Sequence, residues 1–253
     1  MSLRIVWLLL TARCFFYAHG DCNELTPSQV LYTQKKIVNQ RISRDPFPHL
    51  EIQNLFHNSV YECLMKTLSS VRNKKFDSKR KYRKQKVTLR GQESARESFD
   101  INTVKGLNGL RRRYKFNAQQ IKFLRSFRKI LNRLQGEWLE MFREPLSQRT
   151  PKFNMKRASY IPTQELIFDW ANYGILPHND SPEKLATILV YLPDNNANPD
   201  IGTVLLKPRE DTSIVIRKNR GSWEDFHSVQ NATYIPNFAL AFSACDSSWH
   251  GVR

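Results

Sequence analysis

Tyr173-Gly174-Ile175-Leu176-Pro177-His178-Asn179-Asp180-Ser181-Pro182 leads into Leu185-Ala186-Thr187-Ile188-Leu189-Val190-Tyr191-Leu192. The second run is continuously apolar and is ended by Pro193-Asp194-Asn195-Asn196, which predicts a strand buried on both faces. In the extended segment ahead of it, side chains alternate between faces, so His178 and Asp180 point the same way. A second histidine follows 72 residues later, in Ser248-Trp249-His250-Gly251-Val252.

The chain from Asn154 onward consists of short apolar runs divided by turn residues. Leu166 to Tyr173, Gly202 to Leu206, Thr212 to Ile216, Ala232 to Ile235 and Phe238 to Phe242 are strand candidates, with a turn at Pro236-Asn237. The distal histidine is expected at the end of another strand. Many short strands without helix signals between them predict an antiparallel sandwich or a barrel-like double sheet.

The first half reads differently. Asp45-Pro46-Phe47-Pro48-His49-Leu50-Glu51-Ile52 is an entry strand that its prolines keep extended or at an edge. Ser59 and Glu62 have capping-box spacing ahead of Val60, Tyr61, Leu64 and Leu68, which share one helix side. Asn117 to Phe142 is the clearest helix, with Asn117 as cap and Gln120 in the reciprocal position. Leu124, Phe127, Leu131, Leu134, Trp138 and Met141 form its apolar stripe, a core face that braces a sheet, and Pro145 is expected to stop it. The predicted organisation is mainly β with N-terminal helices: residues 1–20 by themselves, a helical part over 21–153, and a β core over 154–253.

Hydrophobic residues at 40% and aromatics at 11% exclude a globally disordered chain. Net charge is +17 and concentrated: Lys66 to Leu134 holds 22 Lys/Arg against 4 Asp/Glu. Its densest runs are Lys79 to Lys84 and Arg111-Arg112-Arg113, and residues 72–113 read as a solvated basic insertion with little fixed structure. Such a patch suits a polyanion (nucleic acid, sulfated glycan or an acidic substrate) or is an ordinary solvated loop. No nucleic-acid-binding motif accompanies it. Cys14, Cys22, Cys63 and Cys245 lack zinc spacing and are too few for a disulfide scaffold, so they leave the redox compartment open. No apolar run reaches membrane-spanning length. Residues 1–20 partly resemble a secretory leader, with Arg4, apolar residues from Ile5 and a small-x-small pair at Ala18 and Gly20; the other reading is a loosely packed N-terminus. Secretory and cytoplasmic locations both stay open. Asn231-Ala232-Thr233 is a glycosylation sequon, relevant in a secreted chain.

His178 and Asp180 on one face, closed by His250 from a facing sheet, offer two imidazole nitrogens and one carboxylate oxygen. That set suits a non-haem Fe(II) with positions left open. Taken singly, His178 reads as a turn histidine beside Pro177, Asp180 as a turn cap and His250 as a hydrogen-bonded histidine against Trp249. Taken together, a metal centre is the better reading. His19, His49, His57 and His227 lack this arrangement and read as ordinary polar residues.

The ordered set of His178-x-Asp180, the apolar run to Leu192, Gly202-Thr203, and Pro236-Asn237-Phe238 through Trp249-His250-Gly251-Val252 resembles the prolyl-hydroxylase-like Fe(II)/2-oxoglutarate-dependent dioxygenases. Pro46-Phe47-Pro48-His49-Leu50 with Asn54 resembles the segment that opens many members. The resemblance implies a double-stranded β-helix (jelly roll), with His178, Asp180 and His250 as both catalytic residues and ligands of Fe(II). It implies 2-oxoglutarate as co-substrate, decarboxylated to succinate and CO2 as a C–H bond of a protein, peptide or small-molecule substrate is hydroxylated. Ascorbate is a further candidate cofactor.

One departure stands out. Family members usually carry an Arg or Lys about ten residues after the distal histidine, and this chain stops at Arg253. Either the chain is a fragment, or another cation such as Arg253, Lys184 or Lys207 substitutes, or there is no turnover. The alternative function is therefore an inactive or truncated protein of the same fold that holds a polyanion through its basic insertion.

Overall fold

The computed structural model describes residues 4–6, 22, 25–72, 87–89, 92–94, 96–149, 161–169, 173–181, 183–193, 199–210 and 220–253. In chain order these form β1 (Arg4–Val6), α1 (Pro27–Val38), β2 (His49–Ile52), α2 (Asn58–Arg72), β3 (Val87–Leu89), β4 (Gln92–Ser94) and β5 (Arg96–Asp100). Then come α3 (Val104–Tyr114), α4 (Ala118–Arg133), α5 (Gln135–Met141), α6 (Arg143–Arg149), β6 (Glu165–Asp169), β7 (Ile175–His178) and β8 (Ala186–Tyr191). The rest is β9 (Thr203–Pro208), β10 (Phe226–Asn231), β11 (Phe238–Ser243) and β12 (His250–Val252).

The chain is thus mixed helix and sheet, with antiparallel sheets as the β-rich second half predicts. Two four-stranded sheets dominate, in the orders β1-β8-β11-β2 and β10-β9-β12-β7. All their pairings are antiparallel except β1 with β8. β2 sits at an edge, where its preceding prolines need no partner.

Alternation along β8 fixes the layers. Ala186, Ile188 and Val190 join a core with Leu50 and Ile52 of β2, Ala239 and Ala241 of β11, and the helices. Leu189 and Tyr191 point the other way, into a cluster with Phe238, Leu240 and Phe242 of β11 and Leu205 of β9. One cluster therefore lies between the two sheets and the other between the first sheet and the helices. All six residues of β8 are buried, as a continuous apolar run requires.

The bracing helix is as its stripe predicts. Asn117 and Gln120 make the reciprocal cap, and Phe127 packs edge-on against Phe56 at 5.1 Å. The helix passes through Leu134 into α5, and the chain then enters α6 instead of stopping at Pro145. A proline in the first turn of a helix loses no intrahelical bond, so Pro145 is tolerated there.

Several expectations need correction. Ser59 is not the cap of α2; it lies inside the first turn and accepts a bond from Gln29 Nε2 at 2.7 Å, while the His57 carbonyl receives Val60 and Tyr61. The basic insertion has fixed structure in its latter part, where β5 pairs with β6 and α3 buries Leu107, Leu110 and Tyr114. Arg113 there bonds Glu97 at 2.9 Å. Ala232 to Ile235 is irregular; the strand is the preceding β10, whose exposed His227 and Ser228 hide the pattern. His250 opens β12 rather than following a strand. Helix α1 was not expected, although Thr26 and Gln29 have capping-box spacing with Pro27 in the first turn, whereas the Cys22–Cys63 disulfide has no local signal of that kind. Arg4–Val6 pair with β8, while most of residues 1–20, Lys79 to Lys84 and Thr212 to Ile216 lie outside the described residues.

Phe127→Ala removes a fully buried ring and should cost about 3–5 kcal/mol, whereas Asn117→Ala should cost about 1 kcal/mol through the lost cap. Urea unfolding of both variants checks this; equal losses would show that α4 is not held chiefly by its apolar face.

Candidate metal centre

His178 ends β7 and His250 begins β12, and the two are direct cross-strand partners. Their rings lie 4.3 Å apart, centroid to centroid, with a tilt of 52°. Asp180 leaves the strand two residues after His178, on the same side. The donor atoms of His178, Asp180 and His250 all fall within 4.8 Å of one another. Among the described residues this is the one group of three or more His, Cys, Asp or Glu side chains so arranged.

Two glycines permit close packing in this sheet, one between β12 and β7 and one between the start of β9 and the end of β10. A Cβ on Gly251 would sit 2.9 Å from the Ile175 carbonyl and 2.8 Å from the Trp223 ring, so β12 can lie against β7 only with glycine there. A Cβ on Gly202, just before β9, would come within 1.8 Å of the Ala232 carbonyl. Ser248 closes the turn into β12, accepting from the Cys245 amide at 2.9 Å.

Each imidazole is oriented by its own backbone. His178 Nδ1 lies 2.9 Å from the Leu176 carbonyl and His250 Nδ1 lies 2.9 Å from the Ser248 carbonyl. A carbonyl oxygen can only accept, so each Nδ1 carries the proton and each Nε2 keeps a lone pair for the centre. Burial pushes His178 down to about 3, with His250 beside it adding to the effect. Burial likewise lowers His250. Both rings are therefore neutral, the form that ligates metal.

Asp180 is 4% exposed at its side chain. Burial alone would raise it, but the Lys184 ammonium and the hydrogen bonds from Lys184 and Thr187 outweigh burial and hold it below the usual carboxylate range. Lys184 Nζ bonds one carboxylate oxygen and Thr187 Oγ1 the other. The centre thus offers two neutral nitrogens and a carboxylate. Metal–ligand bonds of about 2.1 Å place neighbouring donors about 3 Å apart, so the three need only draw inward to share one ion.

The other candidates separate clearly. Lys184, singled out only as one alternative cation, lies on Asp180. Lys207 is 64% exposed and 4.0 Å from Asp45. Arg253 stacks over Trp223 at 4.5 Å and donates to Ser228 Oγ at 3.1 Å, on the sheet face opposite His250. His49 is buried with Nδ1 2.8 Å from the Phe47 carbonyl, His57 lies 2.8 Å from Ser59 Oγ, and His227 is exposed. His19 lies outside the described residues. Thr187 was readable only as part of an apolar strand; its place seven residues after Asp180 was the available signal.

No protein-family model matches the chain, and no curated protein matches it either.

The lowered histidines make stability depend on pH. Below about 6.5 the unfolded chain protonates both imidazoles while the folded chain does not, so stability is full above that value and falls as pH drops. Each histidine should contribute about 1.4 kcal/mol per pH unit to the fall. Urea unfolding at pH 7 and pH 5 should show a shallower fall in His178→Gln than in the parent chain. An unchanged slope would overturn this account of the buried rings.

Proposed function

We propose that the chain is a prolyl-hydroxylase-like dioxygenase dependent on Fe(II) and 2-oxoglutarate, with its two sheets forming a double-stranded β-helix. Its substrate is a protein or peptide side chain or a small molecule. The observation that carries this reading is the meeting of His178, Asp180 and His250, from two distant parts of the sequence, with both Nε2 lone pairs kept for the centre. A three-donor set of this kind leaves positions for co-substrate and oxygen together.

His178, Asp180 and His250 would hold the ion, which supplies oxygen activation coupled to decarboxylation of 2-oxoglutarate to succinate and CO2. The chain's own side chains set the rest. Thr187 fixes the plane of the Asp180 carboxylate, and the backbone carbonyls of Leu176 and Ser248 fix the rings. Phe242, with its ring 4.6 Å from that of His250, gives the centre an apolar wall on the inter-sheet side. Lys184 is the cation at hand for an anionic co-substrate, since Arg253 and Lys207 face elsewhere. A carboxylate brought into such a site without a cation would be costly.

Succinate formation should require both Fe(II) and 2-oxoglutarate and should vanish in His178→Ala and Asp180→Ala. Full yield from either variant would remove the metal assignment. Lys184→Gln should still bind Co(II), read by its d–d spectrum, while binding 2-oxoglutarate at least tenfold more weakly. Undiminished 2-oxoglutarate binding would take Lys184 out of the site.

A second reading, retention of a polyanion, is favoured by one surface. Lys122, Arg125, Lys129 and Arg133 recur at helical spacing on the exposed side of α4, Arg111 and Arg112 are exposed on α3, and neither helix contains Asp or Glu. Neutralising the four α4 cations should release the chain from heparin at lower salt; an unchanged elution would dismiss this surface.

A further inference from the structure

We infer that the chain matures in an oxidising secretory compartment and carries an N-linked oligosaccharide on Asn231. Two independent features point there. Cys22 and Cys63, 41 residues apart, are joined in a disulfide that ties the segment ahead of α1 to α2. Bonds of this kind persist where thiols are not kept reduced. The second feature is the sequon Asn231-Ala232-Thr233 and where the fold puts it.

Asn231 is the last residue of β10, an outer strand of its sheet, and is exposed. Its neighbour Gln230 turns inward, opposite Leu205 and within hydrogen-bonding reach of Glu51. Alternation therefore sends the Asn231 amide outward, on the side of Val204, its register partner. Among the described residues no strand pairs with the outer side of β10. Val229 at the bulge of this strand is 41% exposed, an apolar group on that edge. An oligosaccharide here covers that edge and blocks pairing with another chain.

The chain holds a second sequon, Asn179-Asp180-Ser181, and the fold sets it apart. Asn179 is buried, and its Nδ2 donates to the Asp246 carbonyl at 2.7 Å. A sugar on that amide would keep His178 and Asp180 from their places, so Asn231 is the site assigned.

The chemistry balances with the compartment's own reagents. The Asn231 amide nitrogen bonds to the anomeric carbon of a lipid-linked oligosaccharide and gives its proton to a base of the transferase. The bond from that carbon to the diphosphate oxygen breaks, and the lipid diphosphate leaves. The two thiols lose two protons and two electrons to an oxidised dithiol carrier, which is reduced. Neither step depends on the oxygenase reading.

The test expresses the full chain, with its own N-terminus, in eukaryotic cells. A gel-mobility shift on peptide-N-glycosidase F treatment is expected, present in the parent and in Thr233→Ser and absent in Asn231→Gln and Thr233→Ala. Non-reducing peptide mapping should link Cys22 to Cys63. An unshifted parent chain, a glycan on Asn179 in its place, or free thiols at Cys22 and Cys63 in the recovered protein would each overturn the inference.

Discussion

The antiparallel pairing of β12 with β7 is the constraint on which the centre depends, because it sets His250 opposite His178. Neither histidine is placed by a flexible loop. Each belongs to a strand, and each is locked by a bond from its own Nδ1 to a carbonyl two residues earlier. Ring orientation is thus written into strand geometry, and a shift of one residue in pairing would turn a ring to the opposite face. Gly251 makes the close approach of the strands feasible.

That pairing is itself supported from behind. β9 holds the other side of β12, and Leu205 of β9 joins the inter-sheet cluster with Leu189 and Tyr191 of β8. β8 then hands its other face to the helical core, where α4 packs Phe127 against Phe56. The helices, distant from the centre, thereby bear on the position of the sheet that faces it. The charges around Asp180 follow the same economy of placement. Lys184 and Thr187 lie four and seven residues beyond it, close enough in sequence for the turn into β8 to deliver both.

Much of this was legible in the sequence, and for identifiable reasons. The run from Leu185 to Leu192 has no solvent side, and the capping pair at Asn117 and Gln120 is a local signal that tertiary structure did not override. His178 and Asp180 share a face through the period of a strand alone, but nothing in composition could bring His250 to them; that needed the expectation of facing sheets. What escaped had weaker local signatures. Leu107, Leu110 and Tyr114 are spaced for a helix yet sit among so many cations that α3 read as solvated chain. β10 shows water most of its side chains, so its period is hidden, and the Cys22–Cys63 partnership exists only once α2 is packed. Lys184 and Arg253 were indistinguishable as candidate cations until the turn before β8 and the outward face of β12 separated them.

A strand with no water-facing side has a further consequence for how this protein can vary. Odd-numbered positions of β8 answer to the opposing sheet and even-numbered ones to the helices, apart from Thr187, which answers to Asp180. Losing or gaining one codon within Ala186–Tyr191 would exchange those two allegiances at a stroke. A point change disturbs one side at a time, but in this segment the reading length of the gene is as constrained as its wording.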